Sequence, residues 1–418
     1  MQLSIVIPAL NERNNISKLI PALKTAVPAD VTNYEVIVVD GHSHDGTPRV
    51  AQELGARVII QNRPGYGGAL QDGFAQARGE YILTLDADLS HSPSFLPAMW
   101  RARSEAEVII ASRYVPGGAA DMPWFRRVLS RILNVVFTRS LALSVRDVSS
   151  GFRLYKAAVL HAMPLQSTHF DVLEEILIQA QAQGWRITEV PFQYEARRSG
   201  KSHVKLFKFG WAYLKTLLRM WRLRNSIDSA DYDYRAHDSI VPLQRYWQRT
   251  RHKIITGFAG GAGRTLDIGC GSSHILLDLE DAVGVDVQIG KIRYVRDLGA
   301  RALVGSAFAV PFADASFDCV ISSQVIEHLP ADDVLFEEMA RLLKPGGRLI
   351  VGTPDYGGLT WPTIEFFYGH LAPGGYADEH ITHYTRRSLE QKLKQFGFEC
   401  QSVGWVGRAE MIIQCVKL

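Results

Sequence analysis

Residues 80–95 read EYILTLDADLSHSPSF. An apolar run ends on two aspartates, Asp86 and Asp88, spaced i, i+2, and is followed by a polar turn and a proline. A strand that stops on acids in this way suits the carboxyl edge of a parallel α/β sheet, where such folds place their ligands. Similar runs flank it: SIVIP, YEVIVVD and ARVII come before and EVIIASR after, each followed by polar turns and amphipathic stretches. The alternation predicts an α/β domain. Two further acids, Glu12 after the first run and Asp40 at the end of the second, fall at the same edge. Two carboxylates at i, i+2 can present oxygens to a hard divalent cation such as Mg2+ or Mn2+, which can bridge diphosphate oxygens. A lone pair of this kind is more often an ordinary acidic turn, since Asp commonly begins turns.

The rest of the 418 residues repeats the theme once more. Around 225–263 the chain turns polar and glycine-containing, with DSADYDYRAHDS and AGGAG, before a second strand series: RTLDIG, AVGVDV, FDCVISS and GRLIVGT. The expected organisation is a first domain over 1–225, a linker and lid segment over 226–263, and a second α/β domain over 264–418. In the second series LDIGCGSSH sets a glycine turn, Gly269 and Gly271, directly after a strand, and Asp286 closes the next strand nineteen positions beyond Asp267. A glycine turn lets the backbone approach a ligand, and a strand-end carboxylate can accept ribose hydroxyls. A dinucleotide-binding dehydrogenase offers the same parts.

Bulk composition excludes some classes. With 46 basic and 43 acidic residues the net charge is only +3, so a nucleic-acid partner is not expected and any basic surface must be local. The four cysteines, Cys270, Cys319, Cys400 and Cys415, are far apart and form no CxxC pair, which fits a reducing cytoplasm. No basic leader and no stretch of 18 apolar residues is present, so neither a signal peptide nor a membrane span is expected. From Arg197 to Arg224, however, there are nine Lys or Arg and no acid, interleaved with Phe207, Phe209, Trp211, Leu214, Leu217, Leu218 and Trp221. Helical stepping gathers Lys201, Lys205, Lys208, Lys215, Arg219 and Arg222 on one arc, a basic amphipathic helix suited to an anionic membrane surface. Packing of that helix on its own domain is the alternative. A second helix is expected over Trp124–Leu141, with Arg127, Ser130, Arg131, Asn134 and Thr138 on one face. Together they point to a lipid-borne substrate and peripheral membrane association.

IVIPALNERNN, DGHSHDGT, DADLSHSPSF, ASRY, SGFRLYK and RRSGKS, in that order, resemble the family-two inverting glycosyltransferases of the GT-A fold, and among them the dolichyl-phosphate mannose synthases. The resemblance implies transfer of a hexose, mannose from GDP-mannose, to a polyprenyl phosphate. It implies that Pro8, Glu12 and Asp40 contact the nucleotide-sugar donor, that Asp86 and Asp88 serve the diphosphate and its metal, and that Arg113, Arg126, Arg197 and Ser202 receive the acceptor phosphate. Asp86, Asp88 and Arg113 would then carry catalysis. Gly41 and His42 depart from the usual loop pattern, which leaves the donor base open with UDP-glucose as the alternative; a non-lipid hydroxyl as acceptor is a separate second reading. In the second half, PFADASFDCVISSQVIEHL and RLLKPGGRLIVGTP resemble class I methyltransferases of Rossmann-like fold. By that resemblance Asp267, Gly269 and Gly271 line the methionine end of S-adenosylmethionine, Asp286 binds its ribose, Ser306 and Ala307 flank its adenine, and Gln324 to His328 border the sulfonium. His380 and His383, in DEHITHYT, are candidate bases toward an acceptor hydroxyl, or structural histidines of a covering loop. A cofactor-binding module without catalysis is the other reading of this half.

Overall fold

The computed structural model describes residues 1–194, 206–371 and 380–418, without the side chains of residues 126, 206–209 and 367–371. The chain divides into two compact units, Met1–Gln181 with Trp185–Arg224, and Asn225–Leu418 with Ala182–Gly184.

The first unit is built on strands β1 (Leu3–Ala9), β2 (Tyr34–Asp40), β3 (Arg57–Ile60), β4 (Tyr81–Thr84), β5 (Val108–Ser112), β6 (Ala119–Ala120), β7 (Arg153–Lys156), β8 (Ile187–Pro191) and β9 (Gln193–Tyr194). Seven of them form one sheet in the order β3-β2-β1-β4-β7-β5-β8, while β6 and β9 pair separately. Pairing is parallel except where β7 runs against β4 and β5. The central strands are apolar on both faces because helices cover both: Ile5, Ile7 and Val38 face one core with Leu19 and Leu23, while Val6, Ile37 and Val39 face another with Leu70 and Ile176. The parallel register brings Ala9 beside Asp40. Every carboxyl end of β1, β2 and β4 therefore opens on one edge.

The helix Trp124–Ser140 is amphipathic in the reverse sense. Trp124, Phe125, Val128, Leu129, Ile132, Val135 and Val136 are exposed, whereas polar Asn134 is buried, as is Phe137. Its polar stripe is turned inward by hydrogen bonds: Asn134 Oδ1 accepts the Val148 N–H at 2.6 Å, and Tyr114 donates to Ser130 Oγ at 2.8 Å. The helix Leu206–Arg224 packs beside it through the Phe137 and Tyr213 rings. Its basic arc does not lie wholly at the surface as expected. Arg219 pairs with buried Glu175 at 2.8 Å and bonds Gln166 and Ser167, so this cation clamps the helix to its own domain. The apolar residues also divide, with Leu217 and Met220 on the core and Trp211, Leu214, Leu218 and Trp221 exposed. Lys201 and Lys205 lie outside the described residues, as does the Lys208 side chain. Among the described residues no helix is long and apolar enough to cross a membrane.

The second unit contains β10 (Thr265–Ile268), β11 (Ala282–Asp286), β12 (Ala302–Val304), β13 (Phe317–Ser323), β14 (Leu343–Pro354), β15 (Phe398–Val406) and β16 (Glu410–Lys417). Their order is β12-β11-β10-β13-β14-β16-β15, parallel except for the antiparallel pairs made by β16. The segment preceding β10 is helical, Tyr232–His237 and Pro242–Ala259. It is tied into this unit by Glu410, buried and accepting from Trp247 Nε1 at 2.6 Å and from the Nε–Nη2 edge of the Arg251 guanidinium.

Candidate active sites

At the carboxyl edge of the first sheet, Asp40 is buried; its Oδ2 accepts the Ser43 N–H at 2.9 Å, while its Oδ1 has no hydrogen-bond partner. A buried carboxylate oxygen without a donor is costly, and a nucleoside hydroxyl or base N–H would satisfy it. Pro8 lies on β1 one position before Ala9, and Glu12 accepts from Asn15 Nδ2 at 2.5 Å. Asp86 and Asp88 follow β4 directly. Tyr66 donates to Asp86 Oδ1 at 3.0 Å, and Asp88 Oδ1 accepts Ser90 N–H and Oγ–H at 3.0 and 2.6 Å. Leu89, immediately after Asp88, stands at φ 64°, in the left-handed region. Two hard oxygen donors on the same sheet edge as an unpartnered buried carboxylate oxygen fit a divalent cation and its nucleoside diphosphate.

Sequence reasoning missed three residues here. His91, buried, accepts the Asp86 N–H on Nδ1 at 3.0 Å; burial lowers its pKa despite the attraction of Asp86 and Asp88, so the ring is a neutral acceptor. Tyr66 is half-buried, and desolvation of its hydroxyl first and then Asp86 hold its pKa well above the usual, so it remains a donor. Asp147 accepts from one edge of Arg113 with both oxygens, from Nε at 2.8 Å and Nη2 at 2.7 Å, while Ser149 Oγ accepts from Nη2 at 2.8 Å. Arg113 is thus engaged on Nε and Nη2, and an acceptor phosphate would meet it through Nη1. The signal for His91 lay in DADLSHSPSF; Asp147, buried and far in sequence, gave none. Arg113 adjoins the acid pair: His91 and Tyr194 both feel its charge together with that of Asp86 and Asp88. Ser149 also faces Ser130 and Asn134, both at 3.4 Å, so the inward stripe of the reversed helix borders the Arg113 end of the site. Arg126 lies on that helix with its side chain outside the described residues, and Arg197 and Ser202 lie outside them altogether.

In the second unit Gly269 and Gly271 have φ of 71° and 53°, and a Cβ at Gly271 would stand 2.6 Å from Asp233 Oδ2. The turn is held by Asp286, whose Oδ2 accepts the Gly271 N–H at 2.9 Å and whose Oδ1 accepts that of Gln288 at 2.8 Å. Asp233, outside every sequence expectation, bonds Ser272 N at 3.1 Å and Lys291 Nζ at 3.0 Å. Asp267 is buried, its Oδ2 has no partner, and burial followed by Asp286 pushes its pKa up to about 8. A carboxyl orphaned beside a glycine turn suits a cationic cofactor such as S-adenosylmethionine. Ser306 and Ala307 follow β12, two strands from β10. Gln324 follows β13 at φ 60°, with its Nε2 buried and unpartnered. Strain and an orphaned donor at a strand end suit a residue that meets a ligand. Glu327 is buried, bonded to Thr353 Oγ1 at 3.0 Å, with its pKa raised to about 8 by burial. His380 Nδ1 lies 2.9 Å from Glu365 Oε1 and from Tyr356 Oη, and its ring meets that of His328 at 4.8 Å. Burial and then His328 lower its pKa even against Glu365. His383 is exposed, stacks on Tyr356 and faces the His380 carbonyl, so the two histidines are not equivalent.

Known proteins agree with this division. Residues 4–163 match Glycosyl transferase family 2, and residues 266–351 match a Methyltransferase domain family. A dolichol-phosphate mannosyltransferase of Pyrococcus furiosus is 31% identical over 239 residues, 54% of this chain and 66% of that relative. An uncharacterized glycosyltransferase of Mycobacterium bovis is 30% identical over 201 residues, 48% of this chain and 88% of that relative. Glucosyl-3-phosphoglycerate synthase from Mycobacterium tuberculosis, solved with Mn2+, uridine diphosphate and glucosyl-3-phosphoglycerate, is 24% identical, covering 52% of this chain and 79% of that one with a TM-score of 0.43. The chain belongs to glycosyl transferase family 2 through its first unit and carries a methyltransferase domain in its second.

Proposed function

We propose that the first unit transfers a hexose, mannose from GDP-mannose, to a polyprenyl phosphate at an anionic membrane surface on the cytoplasmic side, and that the second methylates a hydroxyl acceptor with S-adenosylmethionine. The observation that carries the lipid acceptor is the reversed helix Trp124–Ser140, polar toward Arg113 and apolar outward. An apolar face so close to a phosphate-binding arginine suits a phosphate borne on a hydrocarbon chain at an interface. The activity of the Pyrococcus relative, dolichol-phosphate mannosyl transfer, supports the same acceptor class.

A lipid monophosphate needs no strong base, since its second pKa is about 6 and it is already largely ionised at neutral pH. Pro8, Glu12 and Asp40 would hold the donor, and Asp86 and Asp88 would hold a divalent cation. Bound there, Mg2+ or Mn2+ supplies charge neutralisation to the departing diphosphate. Tyr66 and His91 keep Asp86 in place, and Arg113, set by Asp147, aligns the attacking phosphate. In the second unit Asp267 and Asp286 would hold the cofactor, which supplies the methyl group. His380, neutral and oriented through Nδ1 by Glu365, would take the acceptor proton on Nε2.

The full chain, vesicles carrying polyprenyl phosphate, Mn2+ and either GDP-mannose or UDP-glucose should give a lipid-extractable sugar product. Asp88→Asn should lower its formation at least about 100-fold, the scale of losing a transition-state charge stabiliser. Transfer only to a water-soluble acceptor would refute the lipid assignment.

A further inference from the structure

Three imidazoles in the second unit serve neither proposed reaction. His237 ends the helix Tyr232–His237, His252 lies within Pro242–Ala259, and His274 follows the glycine turn directly. Their ring centroids are 4.3 Å apart for His237 and His274, 5.3 Å for His237 and His252, and 6.3 Å for His252 and His274. Asp238 adds a carboxylate, its Oδ1 3.4 Å from His237 Nδ1. His237, Asp238 and His274 each offer one ligand atom such that all three atoms lie within 4.8 Å of one another.

Packing alone is a poor account of this cluster. Imidazoles bury little apolar surface, and His237 Nδ1 is buried without a hydrogen-bond partner. His274 Nε2 faces the Tyr234 carbonyl oxygen at 3.4 Å, a contact that holds the far side of that ring as in histidines that ligate metals, and His252 Nε2 lies 2.8 Å from Asp278 Oδ2. Tyr234 stacks on His274 at 4.1 Å and fixes the plane of its ring.

We propose that His237, Asp238 and His274, with His252 as a further ligand, bind a first-row transition-metal dication of the zinc type. Imidazole nitrogens with a carboxylate oxygen are the donor set such an ion prefers, and metal–nitrogen bonds of about 2.0–2.1 Å would draw His237, Asp238 and His274 together from the 4.8 Å within which their ligand atoms lie. The ion would staple both helices to the cofactor turn, which the first of them already reaches through Asp233 and Ser272. Arg249 shares the carboxylate, 2.5 Å from Asp238 Oδ1, and opposes an incoming cation.

Cobalt(II) reports such a site without any assay of activity. The full chain, stripped with chelator and titrated with Co2+, should show the visible bands of a four-coordinate ion at one equivalent. His237→Gln and His274→Gln should each weaken this binding at least about 10-fold, a loss that even the outer-shell partners of metal ligands bring. Arg249→Gln should tighten it several-fold, an effect that a purely packed cluster would not produce. Asp88→Asn and His380→Gln should leave the bands in place, which separates this site from the two other clusters. Metal-free circular dichroism shows whether each variant is folded, and should His274→Gln unfold, His237→Gln with Arg249→Gln decides. Absence of the bands, their survival in the folded histidine variants, or their loss in Asp88→Asn or His380→Gln would overturn the site.

Discussion

Arg113 and Asp147 form a two-point ion pair, 2.8 Å from Nε to Oδ2 and 2.7 Å from Nη2 to Oδ1, and Asp147 also accepts the Arg113 backbone N–H at 3.0 Å. Burial disfavours the charge on Asp147, yet the hydrogen bonds and charge of Arg113 hold its carboxyl below the usual range. Asp147→Asn would strand a buried guanidinium, so it should cost about 3–5 kcal/mol in urea unfolding of the first unit. Because the folded pKa is depressed, the pair's contribution is complete above the unfolded value and fades as pH falls through the folded one. The loss should therefore be largest near neutral pH and shrink in acid.

The outward face of Trp124–Ser140 should be what holds the enzyme on membranes. Changing Trp124, Phe125 and Ile132 together to serine removes three exposed apolar side chains without touching Asn134 or Ser130. Co-sedimentation with anionic vesicles should fall at least about 10-fold, since each large side chain transferred to an apolar phase contributes about 1.5–3 kcal/mol. Thermal stability should be unchanged or improved. Equal sedimentation of both proteins would show that this face does not meet lipid.

Asp267 links cofactor binding to pH. Its carboxyl, protonated in the free protein up to about 8, must ionise to receive a cationic group of S-adenosylmethionine. Affinity measured by calorimetry should therefore rise as pH increases toward 8, with proton release visible as a dependence on buffer ionisation enthalpy. Asp267→Asn should weaken binding about 10- to 100-fold, the worth of a charge-assisted hydrogen bond, and should flatten the pH profile.

Glu174 is buried in the first unit with neither carboxyl oxygen hydrogen-bonded, and burial pushes its pKa up to about 8. The folded state thus holds a proton that the unfolded chain releases near 4.5, so stability declines as pH rises between those values. Glu174→Gln keeps the shape without the charge. Calorimetric unfolding should find the variant close to the parent at pH 5 and more stable by roughly 2–4 kcal/mol at pH 8. A difference independent of pH would mean that Glu174 is not neutral in the fold.

Much of the architecture was legible in the sequence because it is local. Short apolar runs ending on Asp40, Asp86 and Asp286 announce parallel strands and their ligand edge, since one side chain after a strand end can point only into that crevice. The glycine turn at Gly269 and Gly271 was legible for the same reason: left-handed backbone selects glycine wherever it occurs. Helical periodicity located Trp124–Ser140 and the polar stripe on it, but periodicity states only that two faces differ. Which face turns inward depended on Val148, Ser149 and Tyr114, fourteen to sixteen residues away in sequence, offering hydrogen bonds to Asn134 and Ser130. The same holds for Arg219, whose charge read as surface until Glu175 was found beneath it, and for His237, His252 and His274, which no spacing rule connects. Sequence determined the two α/β units and the acids and glycines at their edges. Tertiary packing alone decided the partners of Arg113, the direction of the reversed helix and the convergence of the imidazoles, because burial and pairing are set by groups distant along the chain.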